Sequence, residues 1–169
     1  MEILKSILYM LVLLSSTSIG VLLSQKYQKR EEELKDFKTA FIMFKTKICY
    51  TYEPLQEIFK DISKNIQSKT KIVFEKTIKY MKEKNATESW NLALEETTTN
   101  LTKEDKKALS TLGKLLGKTN IEGQINEINL SLEFLETQIE NARQEKEKSA
   151  KLYKTLGAIA GIGIVIILI

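Results

Sequence analysis

No histidine occurs in the 169 residues. The commonest general base and the commonest metal ligand are therefore missing. Cys49 is the one cysteine, which excludes an intramolecular disulfide and a cysteine-rich zinc site. With no imidazole to activate it, Cys49 reads as a small apolar residue on a helix, not as a nucleophile. One proline and seven glycines are too little punctuation for an all-β fold or a chain of βα units. The formal net charge is +4, yet Lys and Glu interleave as on solvated helix faces, and no basic patch carries stacking aromatics. Nucleic acid is not an expected partner. The stretch Gly113-Lys114-Leu115-Leu116-Gly117-Lys118-Thr119 ends like a phosphate loop, but its glycine spacing is wrong and no strand precedes it. Glu31-Glu32-Glu33 and Glu95-Glu96 are expected to be solvated faces, not acid–base pairs. No catalytic residue, metal site or cofactor is expected, and the chain is not expected to be an enzyme.

What the chain does have is two apolar ends. The first runs from about Ile3 to Leu23, interrupted by Lys5. It matches the ~20 residues that cross a bilayer. A cleaved signal peptide is the other reading, with Ser16-Thr17-Ser18 as the cleavage site. Apolar character resumes at Val21, Leu22 and Leu23, which favours an anchor. The second end, Leu156 to Ile169, has no charged side chain. At 1.5 Å per residue it spans roughly 21 Å, short of the ~30 Å hydrocarbon core, so local thinning or snorkelling of Lys154 would be needed. A buried C-terminal core helix is its alternative, but only the N-terminal stretch is apolar enough to cover it. Lys26, Lys29 and Arg30 follow the first stretch, and Arg143, Lys146, Lys148, Lys151 and Lys154 precede the second. By the positive-inside rule the middle is cytoplasmic. The expected division is a transmembrane anchor over 1–24, a cytoplasmic bundle over 25–154 and a transmembrane segment over 155–169. Ser16, Gly20 and Ser24 lie four apart, as do Gly157 and Gly161, a spacing that lets membrane helices pack closely.

The middle reads as helices throughout. Leu34, Phe37, Phe41, Phe44 and Ile48 form one stripe that continues the first span. Pro54 should end it and open a helix carrying Leu55, Ile58, Phe59, Ile62 and Ile66. A third helix is expected over Lys69 to Lys82. Asn85 and Glu88 have capping-box spacing before a fourth with Trp90, Ala93 and Leu94. Thr102 and Asp105 open a fifth with Leu109, Leu112 and Leu116, which Gly117 should stop. Ile121, Ile125, Ile128, Leu132, Leu135, Ile139 and Ala142 then follow heptad steps in a last helix that runs into the second apolar end. The fold class is all-α: a membrane-anchored antiparallel helical bundle with long first and last helices. The alternative for the two long stripes is a coiled coil between chains, which would make the protein a self-associating membrane tether or spacer.

Order and spacing also carry a family likeness. It lies in Ile48-x-Tyr50-x-x-x-Pro54-Leu55, in Trp90 before Leu94, and in Leu112-Gly113-x-x-Leu116-Gly117-x-x-Asn120-x-x-x-Gln124. Leu132 and Leu135-Glu136 follow, then Lys151-x-Tyr153-Lys154-x-Leu156-Gly157 before the apolar tail. Over essentially its full length the chain resembles the stage III sporulation protein AB family of endospore-forming Firmicutes. It departs from that pattern at Lys47, where an acid is usual, and at Asn120, where Asp is usual. The resemblance implies a part in a channel-like complex between mother cell and forespore, in the mother-cell membrane around the forespore. The family looks like a reduced platform protein of type II secretion and type IV pilus systems. Its implied partners are a secretion-type ATPase and other membrane components of the complex. The loop positions expected to dock the ATPase are Lys47, Tyr50 and Glu53 near the Pro54 turn, and Lys118, Asn120 and Gln124 near the Gly117 turn.

Overall fold

Capping residues and one proline divide the described residues of the chain into six helices. The computed structural model describes residues 2–51, 53–113 and 121–168. The helices are α1 (Glu2–Tyr50), α2 (Leu55–Asn65), α3 (Thr70–Tyr80), α4 (Ala86–Glu96), α5 (Lys103–Gly113) and α6 (Ile121–Leu168). Among the described residues there is no strand. The all-α class with long first and last helices is thus the observed one.

The borders have local causes. Pro54 lacks an N–H, and its carbonyl accepts the Glu57 and Ile58 amides at 2.9 and 3.2 Å to open α2. Asn85 caps α4 by accepting the Glu88 amide at 2.9 Å. At α5 the Asp105 amide donates to the Thr102 hydroxyl at 3.2 Å, and the Thr102 amide donates back to the Asp105 carboxylate at 2.9 Å. The shorter acid thus completes a capping box as Glu would. The stop expected at Gly117 lies outside the described residues.

Contacts divide the chain into two units, Arg30–Glu140 and Met1–Lys29 with Asn141–Ile169. In the first of these, α3 packs on α2 and α4, and α4 packs on α5. Trp90 is fully buried at the centre of an aromatic core. Its indole lies 5.3 to 6.4 Å from the rings of Phe37, Phe41, Phe59 and Phe74. Its Nε1 donates to the Leu109 carbonyl at 2.8 Å, so the polar edge of the ring is satisfied inside the core. The α1 and α6 segments run antiparallel here: Arg30 reaches Gln138, Lys38 reaches Glu136 and Lys45 reaches Asn129. Leu34, Phe37, Phe41 and Phe44 of α1 are buried, as are Ile128 and Leu135 of α6. The two stripes are thus covered in part within one chain, while Ile48, Ile125, Leu132 and Ile139 are half-buried.

Three acidic groups of this unit are buried against expectation or beyond it. Within the triplet read as a solvated face, Glu31 and Glu33 are 5% and 2% exposed, and only Glu32 faces solvent. The Glu33 carboxylate accepts the backbone and side-chain amides of Asn100 at 2.8 and 2.6 Å, holding the α4–α5 connection on α1. The Asp105 carboxylate takes the Arg30 guanidinium. Arg30 therefore does not serve as a free positive flank beside the first apolar end, whereas Lys26 and Lys29 are exposed.

In the unit built from both chain ends, Tyr27 of α1 stacks on Tyr153 of α6, ring centroids 6.1 Å apart and planes 26° from parallel. Gly20 and Ser24 are buried, while Met10, Leu11, Leu14, Ile19 and Leu22 of α1 and Leu156, Ile159, Ile162 and Ile166 of α6 are exposed. Two members of the small-residue series thus lie on the covered face. The surroundings of Ser16, Gly157 and Gly161 lie outside what is described. Among the described residues no helix is long and apolar enough to cross a membrane. The transmembrane character expected of 1–24 and 155–169 is not established by the fold. Many of the apolar side chains behind that expectation, among them Ile3, Ile7, Leu8, Val12 and Leu13, fall outside the described ones.

Candidate partner-docking site

The end of α1 and the start of α2 bring three of the expected docking residues together. Lys47 sits in the last turn of α1, and its ammonium reaches Glu53 at 2.8 Å and Asp61 of α2 at 2.6 Å. Asp61 also pairs with Lys64 at 3.2 Å. The hydrogen bond that Lys47 donates to Asp61, then the one it donates to Glu53, raises the Lys47 pKa above its usual value. The hydrogen bond from Lys47, then that from Lys64, lowers that of Asp61. This cluster clamps α2 onto α1 across the Pro54 turn, so Lys47 and Glu53 already have partners inside the chain. Tyr50 is different: it is 81% exposed, an aromatic ring presented to solvent. The sequence did not point to Asp61, because its pairing crosses the turn and depends on how α2 docks.

The second expected cluster is not assembled by the described residues. Lys118 and Asn120 lie outside them, and Gln124 is 8% exposed and engaged with other groups. Gln124 is thus part of the folded interior and not a loop surface. Among the described residues no group of three or more Cys, Asp or Glu could hold a metal ion.

A feature that heptad counting passed over lies between α5 and α6. A groove of about 470 Å³ is lined by Ala108, Leu109 and Thr111 of α5, by Phe41 of α1, and by Glu127, Leu130, Ser131, Phe134 and Leu135 of α6, with Glu104 and Lys107 on its rim. Leu130 and Phe134 are 61% and 41% exposed. They stand four apart on α6 and off the stripe that contains Ile128 and Leu135. Two apolar residues out of step with a stripe are a signal that the sequence does contain.

Comparison with known proteins follows the same lines. The model of the stage III sporulation protein AB family matches residues 5–169. The stage III sporulation protein AB of Bacillus subtilis (strain 168) is 24% identical over 161 residues, which cover 93% of this chain and 94% of that protein. A solved structure of a stage III sporulation protein AB superposes with a TM-score of 0.67 at 22% identity, covering 71% of this chain and 98% of the solved one. That structure supports the fold alone, while the family match runs through the Trp90–Leu94 helix, the Leu112-Gly113 helix end and both apolar ends. The chain belongs to the stage III sporulation protein AB family.

Proposed function

We propose that the chain is a non-enzymatic, membrane-anchored scaffold of a secretion-like channel complex between mother cell and forespore, and that its helical unit docks a secretion-type ATPase. The observation that carries the anchoring is the inverted surface of the unit made from the two chain ends. There, small Gly20 and Ser24 face inward and large apolar side chains face outward. In water such a surface is costly, and in lipid it is the natural one. Both ends belong to one compact unit, which supports anchors that enter the membrane from the same side. With Lys26, Lys29, Arg143, Lys148 and Lys151 exposed beside them, the Arg30–Glu140 unit would face the cytoplasm of the mother cell.

Docking of an ATPase is supported by the exposed ring of Tyr50, presented beside the turn that the Lys47 ion pairs bridge. The first test is topological. Single cysteines placed at the two termini of a Cys49→Ser chain should react with a membrane-impermeant maleimide only from the side opposite the helical unit. Reaction of both termini from the cytoplasmic side removes the anchoring. The second test is a pull-down of the ATPase by full-length Tyr50→Glu protein. Binding equal to that of the wild type removes the Pro54 turn from the docking surface.

A further inference from the structure

We propose that the α5–α6 groove seats a basic amphipathic helix of another protein, with apolar residues on Leu130 and Phe134 and its Lys or Arg side chains along α6. The proposal deepens the scaffold reading and rests on it.

The wall formed by α6 is one-signed. Between Ile121 and Ala142 stand Glu122, Glu127, Glu133, Glu136 and Glu140, with no Lys or Arg. All five are exposed. Lys38 engages Glu136 at 2.8 Å, but Glu127, which lines the groove, and Glu133, between Leu130 and Phe134 in sequence, bind no cation among the described residues. Of the charged residues that line the groove, Lys107 and Glu104 stand on α5, and the α6 side carries acid alone, in Glu127. A ligand of positive charge meets that face without a like-charge penalty.

The floor is apolar and open. A small molecule would be left largely in solvent, because a drug-sized ligand needs about 70–90% of its surface enclosed. The half-exposed Leu130 and Phe134 cannot enclose anything. Two large apolar side chains four apart along a groove instead match an amphipathic helix, whose own apolar residues recur at three and four. A second copy of this chain fits poorly. A two-fold contact through this groove would set the acidic α6 face of one chain against the same face of the other.

The test places a photo-crosslinking amino acid, p-benzoylphenylalanine, at position 130 of the full-length chain in sporulating cells. Crosslinked peptides are sequenced by mass spectrometry. The expected product joins position 130 to a helical segment of another protein that carries apolar residues at three- and four-residue spacing beside Lys or Arg. Its yield should fall about tenfold in a Glu127→Lys, Glu133→Lys chain, the size of ~1.4 kcal/mol spread over two rim charges. Glu83→Lys, an exposed change on another face, should leave it unchanged. Emission of the buried Trp90 and total helicity confirm that each variant is folded. Crosslinks to a second copy, to the same chain, or to a segment without basic residues overturn the proposal. So does indifference of the yield to the double reversal. Absence of any crosslink, while the wild-type chain still co-purifies with the ATPase, overturns the groove and leaves the scaffold reading standing. Failure of the wild type to co-purify with the ATPase overturns the docking reading and this proposal with it.

Discussion

The Arg30 guanidinium and the Asp105 carboxylate meet side by side, Nε to Oδ2 at 2.8 Å and Nη2 to Oδ1 at 3.0 Å, with side-chain exposures of 7% and 0%. The same carboxylate accepts the Thr102 amide that opens α5. One side chain thus neutralises a buried cation on α1 and caps another helix. Removing one partner of a buried pair strands the other, at a cost of about 3–5 kcal/mol. Asp105→Ala should lower the unfolding free energy by about 3 kcal/mol. Asp105→Asn, which keeps an oxygen for Thr102, should cost less. Urea unfolding followed by helical circular dichroism measures both. A loss below about 1 kcal/mol for Asp105→Ala would show that Arg30 finds another anion.

What could be seen beforehand in this pair, and what could not, follows its two roles. The cap is local: Thr102 and Asp105 are three apart, and their spacing announces a helix start. The ion pair joins residues 75 positions apart, and nothing in the neighbourhood of Arg30 distinguishes it from Lys26 and Lys29. The same division runs through the whole chain. Helix borders were legible at Pro54, Asn85 and Thr102 because caps act within one turn. The stripe of Leu34, Phe37, Phe41 and Phe44 was legible because periodicity is local as well. Which charges stay in solvent was not, since Lys47 meets Asp61 and Glu33 meets Asn100 only after helices dock. Docking residues chosen for lying in loops therefore came out unevenly, with Tyr50 exposed and Gln124 buried.

Gly113 ends the described part of α5 against Trp90. A Cβ there would stand 2.8 Å from the indole Cδ1 and 3.2 Å from Asn91 Oδ1. The indole cannot swing away, because its Nε1 is bonded to Leu109 and four aromatic rings surround it. Gly113→Ala should therefore overpack the core and cost about 1–3 kcal/mol, although alanine is the better helix former. Thermal melts give the sign, and a shift in Trp90 emission reports the displaced ring. An increase in stability would mean that α4 and α5 separate freely.

The clamp at the Pro54 turn should give stability a dependence on pH at both ends of the scale. The Asp61 carboxyl titrates below its ordinary 3.8 in the folded chain, so its contribution is present above that value and is lost as pH falls through the folded pKa. The Lys47 ammonium titrates above its ordinary 10.5, so its contribution is present below that value and is lost as pH rises through the folded pKa. The difference in unfolding free energy between the wild type and Lys47→Met should be flat in the interval between and should narrow beyond either end. Parallel pH profiles across the whole range would show that Lys47 contributes nothing to the α1–α2 junction. The clamp is also open to solvent, so added salt should shrink the plateau.

Three neighbouring glutamates make the sharpest comparison between position in sequence and position in the fold. Glu32 is exposed, while Glu33 is 2% exposed and holds both amides of Asn100. Glu33→Ala leaves those two donors in the α4–α5 connection without their acceptor, beside the buried Thr70 hydroxyl that donates to the Glu33 carbonyl. Unmade bonds to a charged group cost about 1.5–3 kcal/mol, and the connection should loosen as well. Glu32→Ala changes a surface side chain and should stay within about 1 kcal/mol of the wild type. Hydrogen exchange separates the two effects. The Asn100 amide should exchange faster in Glu33→Ala and at the wild-type rate in Glu32→Ala. Equal protection of that amide in both variants would mean that the α4–α5 connection is held by Arg30 and Asp105 alone.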